Sequence, residues 1–352
     1  MLKPIFIKPP FEQCHGSTIL ELPDGSFLTA WFAGSREGHT DTAIWMCKQQ
    51  NGEWLCPFII AKCGLVAHWN PVLFMSPEGK IMLYFKTGKF PDSWDTWLVE
   101  VDDNGYEVCH PVMLKSKKLD EGKMTDGPVR GKMIVTESGA WIAPSSIEKI
   151  LIKRFMAFST VLWNCVIHRI SDNGDVVHST VIPMDREFKE FGGIIQPSVW
   201  EITPGHLAAL CRSTNGYLYR TESLDDGYTW STAVKTNLPN PNSAVDIAKF
   251  GDMICLIYNP ISGNWASRSR LSVAFSDLDG LVFSEPVEIV SGTGSYSYPA
   301  IISTKDGLLA TYTDSRKTIG FAKIKIEDGK VIVESGPEPY DFEKDKELYD
   351  NN

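Results

Sequence analysis

A glycine-centred turn followed by an apolar run occurs six times along this 352-residue chain. The copies are Pro23-Asp24-Gly25-Ser26-Phe27-Leu28, Pro77-Glu78-Gly79-Lys80-Ile81-Met82, Glu137-Ser138-Gly139-Ala140-Trp141-Ile142, Thr203-Pro204-Gly205-His206-Leu207, Phe250-Gly251-Asp252-Met253-Ile254 and Lys305-Asp306-Gly307-Leu308-Leu309. Their glycines are 54, 60, 66, 46 and 56 residues apart, too long for one coil of a solenoid and suited to one blade of a propeller. A second turn follows each copy, at Asn51-Gly52, Asn104-Gly105, Asn173-Gly174, Asp226-Gly227, Asp279-Gly280 and Asp328-Gly329. Such pairs favour tight hairpins because both residues tolerate positive φ. Two hairpins per unit predict an all-β fold, a six-bladed β-propeller of four-stranded antiparallel blades, whose closure leaves only short edges. Residues 1–337 read as one propeller domain. Residues 338–352 read as an acidic tail that frays or crosses the surface.

With 43% hydrophobic and 22% charged residues the chain can bury a large core. It has no apolar run of about 18 residues, so no membrane span is expected. The start, Met1-Leu2-Lys3-Pro4-Ile5-Phe6-Ile7-Lys8-Pro9-Pro10, lacks a continuous apolar stretch of signal-peptide length. That predicts a cytoplasmic protein, or a secreted one if a leader has been removed. A net charge of −10 argues against nucleic acid as partner, because phosphate binding needs concentrated Lys and Arg. An acidic small ligand fits if a few arginines converge.

The eight cysteines (Cys14, Cys47, Cys56, Cys63, Cys109, Cys165, Cys211, Cys255) form no CxxC pair and no compact framework. They read as reduced and mostly core, as in Met253-Ile254-Cys255-Leu256. The seven histidines show no ligand spacing; His39 and His68 are the two that the repeat brings towards the axis, and no metal or cofactor is expected. Phosphate-loop, dinucleotide, zinc-protease and hydrolase-elbow motifs are absent.

In a propeller, residues at one phase of every repeat form a ring around the axis. Nine or ten residues before the first glycine of each unit stand His15, Asn70, Arg130, Gln196, Asn242 and Tyr298, all polar. Seven to nine residues after it stand Lys86, Ser146, Arg212, Asn259 and Asp314 or Arg316, and the first unit extends into Arg36-Glu37-Gly38-His39-Thr40-Asp41. Both sets are expected to open on one face. Strand ends are polar wherever they meet water, but guanidinium groups, amides and carboxyls converging on one depression suit a sugar that carries an acid group. Trp45, Trp69, Trp94 and Trp97 are candidates for ring platforms or for core.

Ser223-Leu224-Asp225-Asp226-Gly227-Tyr228-Thr229-Trp230 resembles a full Asp box, the S-x-D-x-G-x-T-W hairpin of sialidases, and Ser276-Asp277-Leu278-Asp279-Gly280-Leu281-Val282-Phe283 a worn copy. With Asn70-Pro71-Val72, Gln196-Pro197-Ser198, Pro239-Asn240-Pro241-Asn242 and Ser297-Tyr298-Pro299, the chain resembles the sialidase-like BNR-repeat proteins over about residues 10–325. The resemblance implies a structural role for the box. It also implies a three-arginine carboxylate clamp, a tyrosine nucleophile activated by a glutamate, and an acidic proton donor. Arg212 and Arg268 match the second and third arginines, Tyr296 the nucleophile, and Glu37 or Asp41 the proton donor.

Three positions depart from the pattern. His15-Gly16-Ser17 stands where the first arginine is expected, Ala310-Thr311-Tyr312-Thr313 lacks the glutamate that braces it, and Gln196 stands where the activating glutamate belongs. Glutamine cannot take a phenol proton. The resemblance therefore implies a glycoside hydrolase that removes a terminal sialic- or uronic-type sugar from an acidic oligosaccharide or glycoconjugate. Two alternatives stay open: a lyase in which His15 works with Tyr296 or Tyr298, and a glycan-binding propeller without catalysis. The sugar, its linkage and the oligomeric state are not set by these features. Nor is the choice of inward-facing tyrosine, because one bulge exchanges Tyr296 and Tyr298.

Overall fold

The computed structural model describes residues 2–114, 116–119, 122–125, 127–150, 161–171, 174–184 and 192–349; Asn173 of the third expected hairpin lies outside them. The fold is all-β, with 3-10 turns at Pro91–Ser93 and Phe342–Leu348 and no α-helix among the described residues. The first sheet runs Gln13–Glu21, Phe27–Gly34, Ala43–Gln50 and Glu53–Trp54, with Phe58–Ala61 also paired to its third strand. The second runs His68–Met75, Ile81–Thr87, Asp95–Val101 and Val112–Met113. The fifth unit (Asp246–Phe250 to Val287–Ser291) and the sixth (Tyr296–Thr304 to Lys330–Ser335) are likewise four strands in chain order, each antiparallel to the next.

The third and fourth units differ from the expected separate blades, because they share one ten-stranded sheet. The join is a parallel pairing of Leu162 and Trp163 with Gly192 and Gly193. Only glycine permits it: a Cβ on Gly193, at φ 133°, comes within 2.1 Å of the Trp163 carbonyl oxygen. The first strand of the third unit is also reduced to Ile134–Val135.

Packing follows the period of two along each strand. Leu83 and Phe85 face Leu28 and Phe32 of the first unit, while Tyr84 faces Trp141 and Ala143 of the third. Ile142 and Ile167 meet Val199 and Leu207, and Trp200 and Leu210 meet Ile247 and Leu256. Ile257 and Val273 meet Ile301 and Ala310, and Leu309 and Phe321 pack on Trp31 and Trp45, which joins the last unit to the first. Full burial of each such side chain contributes about 1.5–3 kcal/mol.

The ends of the chain fasten this last junction. Phe6–Ile7 pairs in parallel with Tyr340–Asp341, and Phe342, 3% exposed, packs against Phe6, Phe11 and Trp45. Of the two expectations for the acidic tail, fraying or crossing the surface, it is the second that holds up to Tyr349, because its aromatic residues bury among those of the first unit.

The Asp box closes an outer hairpin, as its resemblance implies. Asp225 accepts from Thr229 N (2.8 Å), Thr229 Oγ1 (2.6 Å) and Ser223 Oγ (2.8 Å), and Trp230 is buried between the third and fourth units. Partial burial pushes the Asp225 carboxyl up, but the bonds from Thr229 and Ser223 outweigh it and hold the group below its ordinary range. Asp225→Ala is expected to cost about 1 kcal/mol of stability at neutral pH without touching ligand binding. A carboxyl lowered in the folded state stabilises above its unfolded pKa and loses that contribution as pH falls through the folded value, so the difference should shrink below about pH 4. Urea midpoints of both proteins across that range check it.

Candidate functional site

Nine residues before each turn glycine stands a residue with positive φ: Gly16 (64°), Asn70 (41°), Arg130 (68°), Gln196 (53°), Asn242 (59°) and Tyr298 (52°). Gly16, not His15, holds the phase in the first unit. In four first strands the ladder slips here, between His15 and Thr18, Trp69 and Val72, Ile195 and Ser198, and Ser297 and Ala300. A left-handed residue other than glycine costs about 1–2 kcal/mol. Five in one ring, all polar or aromatic, mark where the fold holds backbone strain, and strain of this kind gathers at functional sites.

Three of these positions, Gln196, Asn242 and Tyr298, meet on Arg212, carried by the second strand of the fourth unit. Arg212 Nε donates to Asn242 Oδ1 (2.6 Å), and Nη1 donates to Gln196 Oε1 (3.0 Å) and to the Tyr298 hydroxyl (3.1 Å). Arg130 reaches from the third unit to the sixth, donating to the Pro299 carbonyl with its guanidinium 5.4 Å from the Tyr298 ring. Arg268 donates to the Asn242 carbonyl (2.8 Å) and lies 6.0 Å from the same ring. Arg316 pairs with Glu37 at 2.6 Å. His15 lies against Tyr298, ring centroids 4.1 Å apart, with Nδ1 bonded to Thr313 Oγ1 (2.9 Å) and its buried Nε2 without a hydrogen-bond partner. His15, Asn70, Arg130, Gln196, Arg212 and Asn242 are buried, whereas Tyr298, Arg268, Arg316 and Glu37 are half-buried and form the open side.

Beneath the ring, Lys132 Nζ donates to Asp246 Oδ2 (2.8 Å) and to the carbonyls of Ile247 and Ile301 (2.8 Å to Ile301). Asp246 also accepts from Ser198 Oγ (3.0 Å) and Ile301 N (2.8 Å). Four units are thus tied together under the site.

The electrostatics are cationic in a protein of net charge −10. Burial pushes His15 well below its ordinary range, and Arg316, Arg268, Arg130 and Arg212 push it further, so it is neutral at neutral pH. Burial and the Arg212 charge lower Arg268 to about 10, still charged. Arg130, Arg212 and Arg268 donate to neutral carbonyl and amide oxygens of Pro299, Gln196 and Asn242, which leaves their charge for an anion.

The structure separates other expected site residues from this cluster. Tyr296 packs between the fifth and sixth units, edge-on to Tyr312. The bulge at Ser297/Ala300 puts Tyr298, two residues on, in the ring instead. Asp41 stays on an exposed loop, bonded to Ser35 N (3.1 Å) and 3.7 Å from His39, and Arg36 is exposed on the same loop. Lys86 is fully buried with Nζ on Thr96 Oγ1 (2.5 Å). Trp45, Trp69 and Trp94 are core, and Trp97 is partly buried beside them. His68 is occupied by Val66 O (2.9 Å) and Cys63 N (2.8 Å), and no group of three or more His, Cys, Asp or Glu with metal-binding geometry occurs among the described residues.

Three further residues belong to the site. Trp163 and Trp265 flank Arg212, at 5.2 and 5.7 Å from its guanidinium, and Trp265 is 66% exposed at φ 59°. Glu148, opposite Trp163 in its sheet, is half-buried. Burial raises its carboxyl to about 7 although Arg212, Trp163 and Ser146 pull it down, which suits proton transfer near neutrality. Two of the three carry a signal in the sequence: Trp265 precedes Arg268 by three residues, and Glu148 follows Ser146 by two; Trp163 carries none. A cleft of about 770 Å³ elsewhere, between the turns of the first and sixth units at Asp24, Asn51 and Asp306, holds none of the candidate residues.

The fold and site define an all-β repeat protein that gathers an anion-attracting cluster where the first strands of its units meet. The chain belongs to the BNR repeat-like domain family, which it matches over residues 25–311. No curated protein matches it in sequence. Its fold is similar to that of a Hadza microbial sialidase (TM-score 0.67, 14% identity, 88% of this chain and 65% of that one). A Dyadobacter fermentans protein of unknown function is similar over 95% of this chain and 98% of its own (TM-score 0.69, 14% identity). Trypanosoma rangeli sialidase, solved with sialic acid, aligns over 91% of this chain and 56% of its own (TM-score 0.64, 16% identity). The chain thus spans under two thirds of the Hadza and Trypanosoma proteins.

Proposed function

We propose that the six units close as a six-bladed β-propeller, and that the protein is a carbohydrate-active enzyme that removes a terminal acidic sugar, of sialic or uronic type, from a glycan in the axial pocket. The observation that carries this reading is Arg212, held by Gln196 and Asn242 with its Nη1 on the Tyr298 hydroxyl and Arg268 beside it. Two guanidiniums suit a sugar carboxylate, the amides suit hydroxyls, and Tyr298 supplies an oxygen for the anomeric carbon. In the hydrolytic reaction the tyrosine gives up its proton to solvent and its oxygen bonds to that carbon while the glycosidic C–O bond breaks. The leaving oxygen takes a proton from Glu148 or solvent, and water then releases the sugar.

One observation favours a second reading. Neutral His15, packed against the Tyr298 ring with a bare Nε2, is equipped to accept a proton from carbon beside a carboxyl group, which is lyase chemistry. Mass spectrometry of products from sialylated and uronate-containing oligosaccharides decides between them. Release of a sugar with gain of one water is the expected result. An unsaturated product without added water transfers the function to the lyase reading, and binding without turnover to a glycan-binding protein.

A further inference from the structure

We infer that Tyr298 acts as a phenolate generated by the guanidinium groups around it, with no carboxylate taking its proton during the reaction. The inference rests on the reading of this ring as the reactive site. A base that removed the phenol proton would have to accept it, but Arg212 Nη1, at 3.1 Å from the Tyr298 oxygen, can only donate. A donor at that distance favours the ionised oxygen over the neutral one. The same nitrogen donates to Gln196 Oε1, and Nε to Asn242 Oδ1, so apart from the Tyr298 oxygen the side-chain acceptors on Arg212 are uncharged amides. A carboxylate at position 196 would spend the Arg212 charge on itself; glutamine leaves that charge for the phenol.

The groups facing Tyr298 from the other units act in the same sense or are held off. Arg130 of the third unit and Arg268 of the fifth have their guanidiniums 5.4 and 6.0 Å from its ring. His15 of the first unit is neutral and adds no charge. Glu37 opposes ionisation, but Arg316 of the sixth unit pairs with it at 2.6 Å. Glu148 of the third unit stands beyond Arg212, next to Trp163. The balance has the expected direction. Burial, the largest influence, and Glu37 raise the phenol, but Arg212, Arg268 and the hydrogen bond with Gln196 together hold the group below its ordinary range.

The consequence for the reaction is that the reacting form is the fraction of Tyr298 that has already released its proton to solvent before substrate arrives. The ionised oxygen then forms its bond to carbon directly, and the electron pair of the breaking C–O bond goes to the leaving oxygen, which is protonated in turn. No base, oxidant or further reactant is needed.

The test needs no substrate. Tyrosinate absorbance is followed during a pH titration of the wild type and of Tyr298→Phe. The expected difference is one phenol, among the 11 tyrosines, that ionises below the ordinary value of about 10 and is missing from the variant. Gln196→Glu should move that step upward, and where turnover is measured it should lower activity at neutral pH and shift the acid limb of the pH profile upward. A Tyr298 step at or above the ordinary phenol range overturns the inference, as does a Gln196→Glu variant that is faster at neutral pH. If Tyr298→Phe does not fold, ring-labelled tyrosine followed by NMR in the wild type and in Gln196→Glu supplies the same step. Because the titration stands apart from catalysis, a protein that turned over no glycan would leave this result to be judged by itself.

Discussion

Tyr298→Phe is expected to lower turnover of an acidic glycan by about 10²–10⁴-fold, the range found when a group that makes or breaks bonds to the reacting atoms is removed. Tyr296→Phe should leave kcat nearly unchanged. The contrast is the informative part, because the two residues lie on one strand, two positions apart, with similar neighbours in sequence. Tyr298 accepts from the Arg212 guanidinium and packs against His15, while Tyr296 lies in the apolar layer between the fifth and sixth units. Phenylalanine at 298 keeps the ring that faces His15, Arg130 and Arg268 and removes only the oxygen. Substrate binding should therefore survive better than catalysis, with kcat falling further than KM rises. Steady-state kinetics of the two variants check this. Equal losses in both would place the reacting oxygen elsewhere.

The second large effect concerns what holds the ring in place. Lys132→Met should destabilise the protein by roughly 3–5 kcal/mol, because it leaves the Asp246 carboxylate, whose side chain is 3% exposed, without its cation. Asp246→Leu should cost a similar amount, since Lys132 then faces only carbonyl oxygens and Ser198 and Ile301 N lose their acceptor. Lys132→Met combined with Asp246→Leu should be more stable than the sum of the single losses predicts, as the uncompensated charge disappears with both partners. Urea midpoints of the three variants measure the coupling. Additive losses would mean that the pair contributes little beyond its separate contacts.

Both predictions depend on a site that was only partly legible beforehand. Asn70, Arg130, Gln196, Asn242 and Tyr298 stand out in the sequence because each unit repeats the same hairpin length, so a fixed offset from the turn glycine becomes a fixed position in the ring. The same offset misses by one in the first unit, where glycine occupies the left-handed position and the polar residue precedes it. Arg212 and Arg268 were reached through resemblance. Trp163, Trp265 and Glu148 were not reached: Trp163 stands on the third strand of its unit, Trp265 in a connecting loop, and Glu148 at the far end of a second strand, so their place at the cluster depends on how neighbouring units are set against one another.

What the sequence determined by itself is what local chemistry controls. Glycine and asparagine at positive φ set the turns, alternation set which face of each strand is buried, and the Asp box carried its own hydrogen bonds within eight residues. Those terms act between residues close in the chain, so they can be read along it. Tertiary structure alone decided the rest. A slip in the ladder between Ser297 and Ala300 put Tyr298 rather than Tyr296 in the ring, and the approach of Gly193 to Trp163 fused two units into one sheet. Aromatic burial against Phe6 and Trp45 docked the tail that charge alone would leave in water. Each of these outcomes depends on contacts between residues far apart in sequence, whose energies exist only once the units are packed together.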